Sequence, residues 1–235
     1  GSAIDITGNF SSTGNGNFSV TASGGIDADG MVTINHVGTV TLANDVAGGS
    51  VAITSDSTSA NAVFASAAGV EITSTNGDLQ ITATNGGLNL GNAALAATEG
   101  SITLMADDNI SVKQVTTTDS GDLGPAEDFT SIAGGTFTLG NGEINVVGAV
   151  VIDHTGTVTL ASDVTGGSVA ITSDSTSANA VFASVAGVDI SATGGNLDIT
   201  TTNGGLNLGN ATLAATDGSI TLMADDNISV KQVTT

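Results

Sequence analysis

Residues Val37 to Thr117 open with VGTVTLANDVAGGSVAITSDSTSANAVFAS, and residues Thr155 to Thr235 open with TGTVTLASDVTGGSVAITSDSTSANAVFAS. About 13 of some 81 positions differ between the two stretches, at an offset of about 118 residues. Three of the differences keep character: Ala67 against Val185 stays apolar, Glu71 against Asp189 stays acidic, and Thr73 against Ser191 keeps a hydroxyl. Upstream the likeness is weaker but still aligns Phe10 with Phe129, Phe18 with Phe137, Ile26 with Ile144 and His36 with His154. The chain therefore reads as two tandem units, residues 1–117 and 118–235, stacked as one continuous body. Both ends fall on unit boundaries, and Gly1-Ser2 reads as a cloning scar, as expected of a segment cut from a longer array.

Within each unit a shorter rhythm appears. Alternating triplets recur as Val32-Thr33-Ile34, Val40-Thr41-Leu42, Val51-Ala52-Ile53, Val70-Glu71-Ile72, Leu79-Gln80-Ile81, Leu88-Asn89-Leu90, Ile102-Thr103-Leu104 and Ile110-Ser111-Val112. Each is a short strand with two residues facing in and one facing out. Asn76-Gly77, Asn85-Gly86, Gly48-Gly49, Gly166-Gly167 and Asn203-Gly204 supply turn residues at the breaks. Val32, Val51, Val70 and Leu88 follow one another at steps of about 19, 19 and 18 residues, which predicts a parallel β-solenoid of about 19–20 residues per coil. At that spacing each unit would hold roughly six coils and the chain would be a rod of about 55–60 Å. The rival is a pair of tandem immunoglobulin-like β-sandwiches, for which a 117-residue unit is a plausible size. Sandwich cores usually hold a Trp or Tyr, and this chain has neither. Helix is not expected: only AALAAT at 93–98 looks helical, and it is too short.

Composition agrees with narrow stacked coils. Thirty-three glycines, one proline and six phenylalanines accompany an abundance of Thr, Ser, Val and Asn. Small and β-branched side chains suit a thin ladder core, where bulky aromatics are dispensable. Two lysines, Lys113 and Lys231, against 23 acidic residues give a formal charge of -21. Such a surface repels polyanions, which excludes nucleic acid as a partner and opposes anionic membranes. No run of about 18 apolar residues is present to span a bilayer as a helix, so membrane insertion is not expected. The absence of cysteine excludes disulfides, thiolate zinc sites and thiol catalysis.

The segments GTVTL, GSVAIT, GDLQIT, GGLNLG and GSITLMADDNISV resemble the β-strand repeats of very large exported bacterial proteins, the filamentous haemagglutinin-like adhesins. The resemblance covers almost the whole chain, through motifs that are compositional and degenerate. It implies a right-handed parallel β-helix, an extracellular or bacterial cell-surface location, and service as a stalk, adhesin or matrix scaffold. The partners it implies are neighbouring repeats of the same polypeptide and another cell surface or glycan.

Candidate chemistry is sparse. His36 and His154 would stand about six coils apart and cannot share a site, so each reads as a corner or surface histidine. Asp107-Asp108-Asn109 and Asp225-Asp226-Asn227 place three oxygen-bearing side chains in a turn, the donor set a hard cation such as calcium takes. No cofactor is required by this reading, and calcium is the one these turns would bind. Gly25-Ile26-Asp27-Ala28-Asp29-Gly30 looks like half a calcium loop, but both aspartates are lost in the second unit; solvated turns are the simpler expectation. No GxSxG occurs and no aromatic sugar platform is available, so the chain is read as no enzyme. The Thr-x-Thr triplets at 39–41, 73–75, 82–84 and 200–202 are spaced unlike an ice-binding lattice and read as ordinary outward strand threonines. The expected function is a non-enzymatic stiff stalk or spacer; the alternative is a carbohydrate or cell-surface binding module using a Thr/Ser/Asn face.

Overall fold

A computed structural model describes residues 4–119 and 127–235. Every pairing between strands is parallel, and the chain coils about ten times with about 23 residues per turn. Antiparallel sandwiches are thereby overturned. All eight triplets picked out by alternation lie in strands, their flanking residues buried and their middle residues turned outward. AALAAT is not helical: it forms the second half of the strand Leu88–Thr98.

Each coil lays down three strands on three faces. The first face is a ladder of ten, running from Phe10–Gly14 through Met31–His36, Ser50–Ser55 and Leu79–Ala83 to Ile220–Met223. The second carries Phe18–Val20, Val40–Leu42 and Val63–Ala65, and the third carries Ile4–Ile6, Ile26–Ala28, Val46–Gly48 and Val70–Ser74. Long strands such as Leu88–Thr98 and Ile110–Thr118 turn the corner between the second and third faces, with a register shift between Leu90 and Ala94, and so join the two into one 17-stranded sheet.

This arrangement corrects the coil length. Val32 does stack on Val51, but Val51 stacks on Leu79. Val70 belongs to the third face, where Ile72 lies between Val46 and Leu95. The second step of 19 residues was a jump between faces. Alternation is the same on every face, so periodicity alone cannot say which triplet stacks on which. From Val32 the ladder passes Val51, Leu79, Ile102 and Phe129 to reach Val150, five coils per unit in place of six. At about 4.8 Å per step the ten-strand ladder is about 43 Å long, shorter than expected.

Pairing continues from one repeat into the next: Ile102 pairs with Phe129, Ile110 with Phe137 and Val115 with Ile144. Pro125 and the rest of the segment between, residues 120–126, lie outside the described residues, as do residues 1–3. Inside, aliphatic side chains stack in columns, with Phe129 and Phe137 the largest fully buried. At roughly 25 cal/mol per Å² of apolar surface, these columns supply the main stabilisation.

Candidate functional site: polar corners and outer faces

The chemistry-bearing residues concentrate at the corners where one face gives way to the next. A backbone N–H leaving a corner cannot always find the ladder, and at these mostly exposed corners a side-chain acceptor takes the place that water would otherwise fill. Asx side chains of the coil below supply the missing acceptor. Asn9 Oδ1 accepts from the Met31 N–H at 2.9 Å, Asn17 from Thr39 at 3.0 Å, Asp78 from Ser101 at 2.9 Å and Asp128 from Ala149 at 2.7 Å. Asp45 serves Glu71 at 2.9 Å and Asp163 serves Asp189 at 2.8 Å. Four aspartates, Asp45, Asp78, Asp128 and Asp163, are thus structural, making charge-assisted bonds between coils.

These Asx corners were missed by sequence reasoning. Their signal is a glycine one coil above: Gly30, Gly38 and Gly148 precede Met31, Thr39 and Ala149. A Cβ on Gly30 would stand 2.2 Å from Asn9 Oδ1, and one on Gly38 2.3 Å from Asn17 Oδ1. Glycine is required by the close approach of the coils. The pattern becomes readable once the true coil spacing is known.

The acidic turns fall into this scheme. Asp107 and Asp108 are exposed between the strands Ile102–Ala106 and Ile110–Thr118. Asn109 turns its carbonyl oxygen to the next coil, accepting from the Thr136 N–H at 2.7 Å and hydroxyl at 2.9 Å. Asp225, Asp226 and Asn227 occupy the same turn of the last coil and are exposed. The acidic grouping drawn together among the described residues is a different one: Glu99, Asp119 and Glu127, their ligand oxygens within 4.8 Å of one another. The supposed half calcium loop is a strand, Ile26–Ala28, with Ile26 and Ala28 buried and Asp27 turned outward. Asp27 lines a shallow recess of about 310 Å³ with Asp45 and Glu71.

The two histidines occupy corners, but buried ones. His36 contacts Ser12 Oγ at 2.9 Å and the Gly16 carbonyl at 3.0 Å. His154 repeats the arrangement with Ser131 Oγ at 3.0 Å and the Gly135 carbonyl at 3.2 Å. A carbonyl can only accept, so Nδ1 of His154 carries the proton and Nε2 takes the Ser131 hydroxyl. Each ring packs against a phenylalanine, Phe18 at 5.2 Å and Phe137 at 5.3 Å between centroids. Ser12 and Ser131 fall in an inward column where the adjacent coils carry Ile34, Leu104 and Ile152. A serine in that aliphatic column, one coil before a histidine, was the available sequence signal. Burial lowers the His154 pKa to about 4, against smaller upward pulls from the Gly135 carbonyl and Asp153.

The hydroxyls divide between inside and outside. Ser55 and Ser173 are buried and donate to the Gly38 and Gly156 carbonyls at 2.9 and 2.8 Å. Ser74 and Thr201, both members of the Thr-x-Thr stretches, are also buried. Thr84 and Asn85 clasp Asp56 of the coil below, and Thr202 and Asn203 clasp Asp174. The triplet threonines therefore lie on different faces and corners. Outward columns are mixed: Thr54, Thr82, Met105 and Ile132 succeed one another on the first face.

The stacked parallel coils with their Asx corners make this chain a β-solenoid repeat protein. No protein-family model, no curated protein and no solved structure matches it.

Proposed function

We propose that the chain is a non-enzymatic stiff spacer from a large exported bacterial surface or matrix protein of the filamentous haemagglutinin-like kind. The observation that carries this reading is the continuous parallel ladder of the first face, in which each strand from Phe10–Gly14 to Ile220–Met223 pairs with the next. Bending such a stack means opening backbone hydrogen bonds and Asx corners on one side, so stiffness follows from the pairing itself. Repetition then sets length: each five-coil unit adds about 24 Å. Neighbouring repeats are the natural partners, and the extracellular setting follows from the motif resemblance.

The test is scattering from chains of two, four and six units. A maximum dimension rising linearly by about 24 Å per unit supports the spacer. Growth as the square root of unit number, as for jointed bodies, would overturn it. Binding of the 235-residue chain on a glycan array would favour the direct carbohydrate-binding alternative.

A further inference from the structure

Charge is not spread evenly around the coil. Outward on the third face stand Asp27, Glu71 and Asp189, and outward on the first stand Asp153 and Asp198. The second face differs. Its outward column runs Thr41, Phe64, Asn89 and Ser111 in one repeat, and its other members are Ser, Thr, Asn or Phe, so no carboxylate stands in it. Phe64, half-buried between Thr41 and Asn89, recurs one repeat on as Phe182. A ring turned outward on a sheet is where a second surface gains most by covering it.

The two edges of this face are charged in opposite senses. Asp107 and Asp108 lie exposed before residues 110–112, and Lys113 follows them, where the strand turns toward the third face. Asp225, Asp226 and Lys231 repeat the order. The whole complement of Lys and Arg therefore lies along one edge of one face.

We propose that the second face binds the second face of another copy of this chain, giving a parallel dimer whose two-fold axis runs along the rods. Such an axis keeps the coils in register and exchanges the edges of the face. Lys113 of each copy then stands opposite Asp107 and Asp108 of the other, and Phe64 and Phe182 each meet their own counterparts. An antiparallel axis would set lysine edge against lysine edge. Pairing through the first or third face would bring carboxylates together, in a chain of net charge -21. The contact is isologous, one patch meeting itself, so it closes at two copies. A face about 43 Å long and about 16 Å wide offers about 700 Å² per partner, near the roughly 800 Å² of a standard interface.

Sedimentation velocity over a concentration series tests this on the full chain. Asp108→Lys makes the chain less negative, so net charge alone would strengthen association. The proposal expects the opposite, dimerisation weakened by about threefold or more through loss of the contact with Lys113. Lys113→Asp should weaken it likewise, and the two substitutions together should restore the native value. Phe64→Lys with Phe182→Lys should weaken it at least about tenfold while leaving the circular dichroism melt close to native. Orientation is read from nitroxide labels on Thr41→Cys, the chain having no other cysteine. Parallel pairing holds the labels within about 20 Å, and antiparallel pairing sets them about 34 Å apart. A native chain that stays monomeric at millimolar concentration, an Asp108→Lys chain that dimerises undiminished, or labels at the antiparallel separation would overturn the proposal.

Discussion

His154 shows how one residue ties the fold to pH. Its imidazole is buried against Phe137 and bonded to Ser131 and the Gly135 carbonyl, and its pKa falls to about 4. In the unfolded chain a histidine titrates near 6.5. Between those values the unfolded state holds a proton that the folded state refuses, so stability rises with pH across this window. Nothing is lost above about pH 6.5, and the loss is complete near pH 4. Its size is on the order of 3 kcal/mol. The expected outcome is that native protein loses about that much more stability than His154→Gln between pH 7.5 and 4, measured by denaturant unfolding of both. Equal losses in the two proteins would remove His154 from the pH response.

Coil-to-coil approach belongs to the scale of the element, and Gly38 reports it. A Cβ there would meet Asn17 Oδ1 at 2.3 Å and the Gly16 backbone at 2.6 Å, whereas one on Gly16 meets nothing within 4 Å. Gly38→Ala should destabilise by about 1–3 kcal/mol, and Gly16→Ala should change stability by less than about 0.5 kcal/mol. Thermal melts of the two variants compare them directly. The same element explains what could be read beforehand. Strands were legible because Val40-Thr41-Leu42 and its like place two apolar residues around one polar residue on any face. Register was not legible, because the loop 56–62 and the strand Val63–Ala65 intervene between Val51 and its partner Leu79 without disturbing that alternation. Corner chemistry depends on register, so Asn17 under Thr39 and Ser131 under His154 stayed hidden with it. The acidic turn Asp107-Asp108-Asn109 was visible as oxygen donors, but that Asn109 is spent on Thr136 is a fact of the next coil, 27 residues on.

Over the whole molecule, charge and continuity decide behaviour. Aspartates on successive coils lie about 4.8 Å apart where they stack, inside the screening length of about 8 Å at physiological salt. Melting temperature should therefore rise with sodium chloride from very low ionic strength. Calcium at matched ionic strength should do no more, since Asn109 is already bonded and Asp107 and Asp108 are solvated. A distinctly larger rise with calcium that is lost on Asp107→Asn with Asp108→Asn would assign the turn a cation; one that survives those substitutions would point to Glu99, Asp119 and Glu127. The central claim is the register itself: three strands per coil, with Val51 beneath Leu79 and not beneath Val70. Outward Ala52 lies beside Gln80 in that register, at a separation a disulfide spans. The chain has no cysteine of its own, so paired substitutions read cleanly. Ala52→Cys with Gln80→Cys should oxidise readily to an intramolecular disulfide in the folded protein, and Ala52→Cys with Glu71→Cys should not. Cross-linking of the second pair in preference to the first would contradict the account.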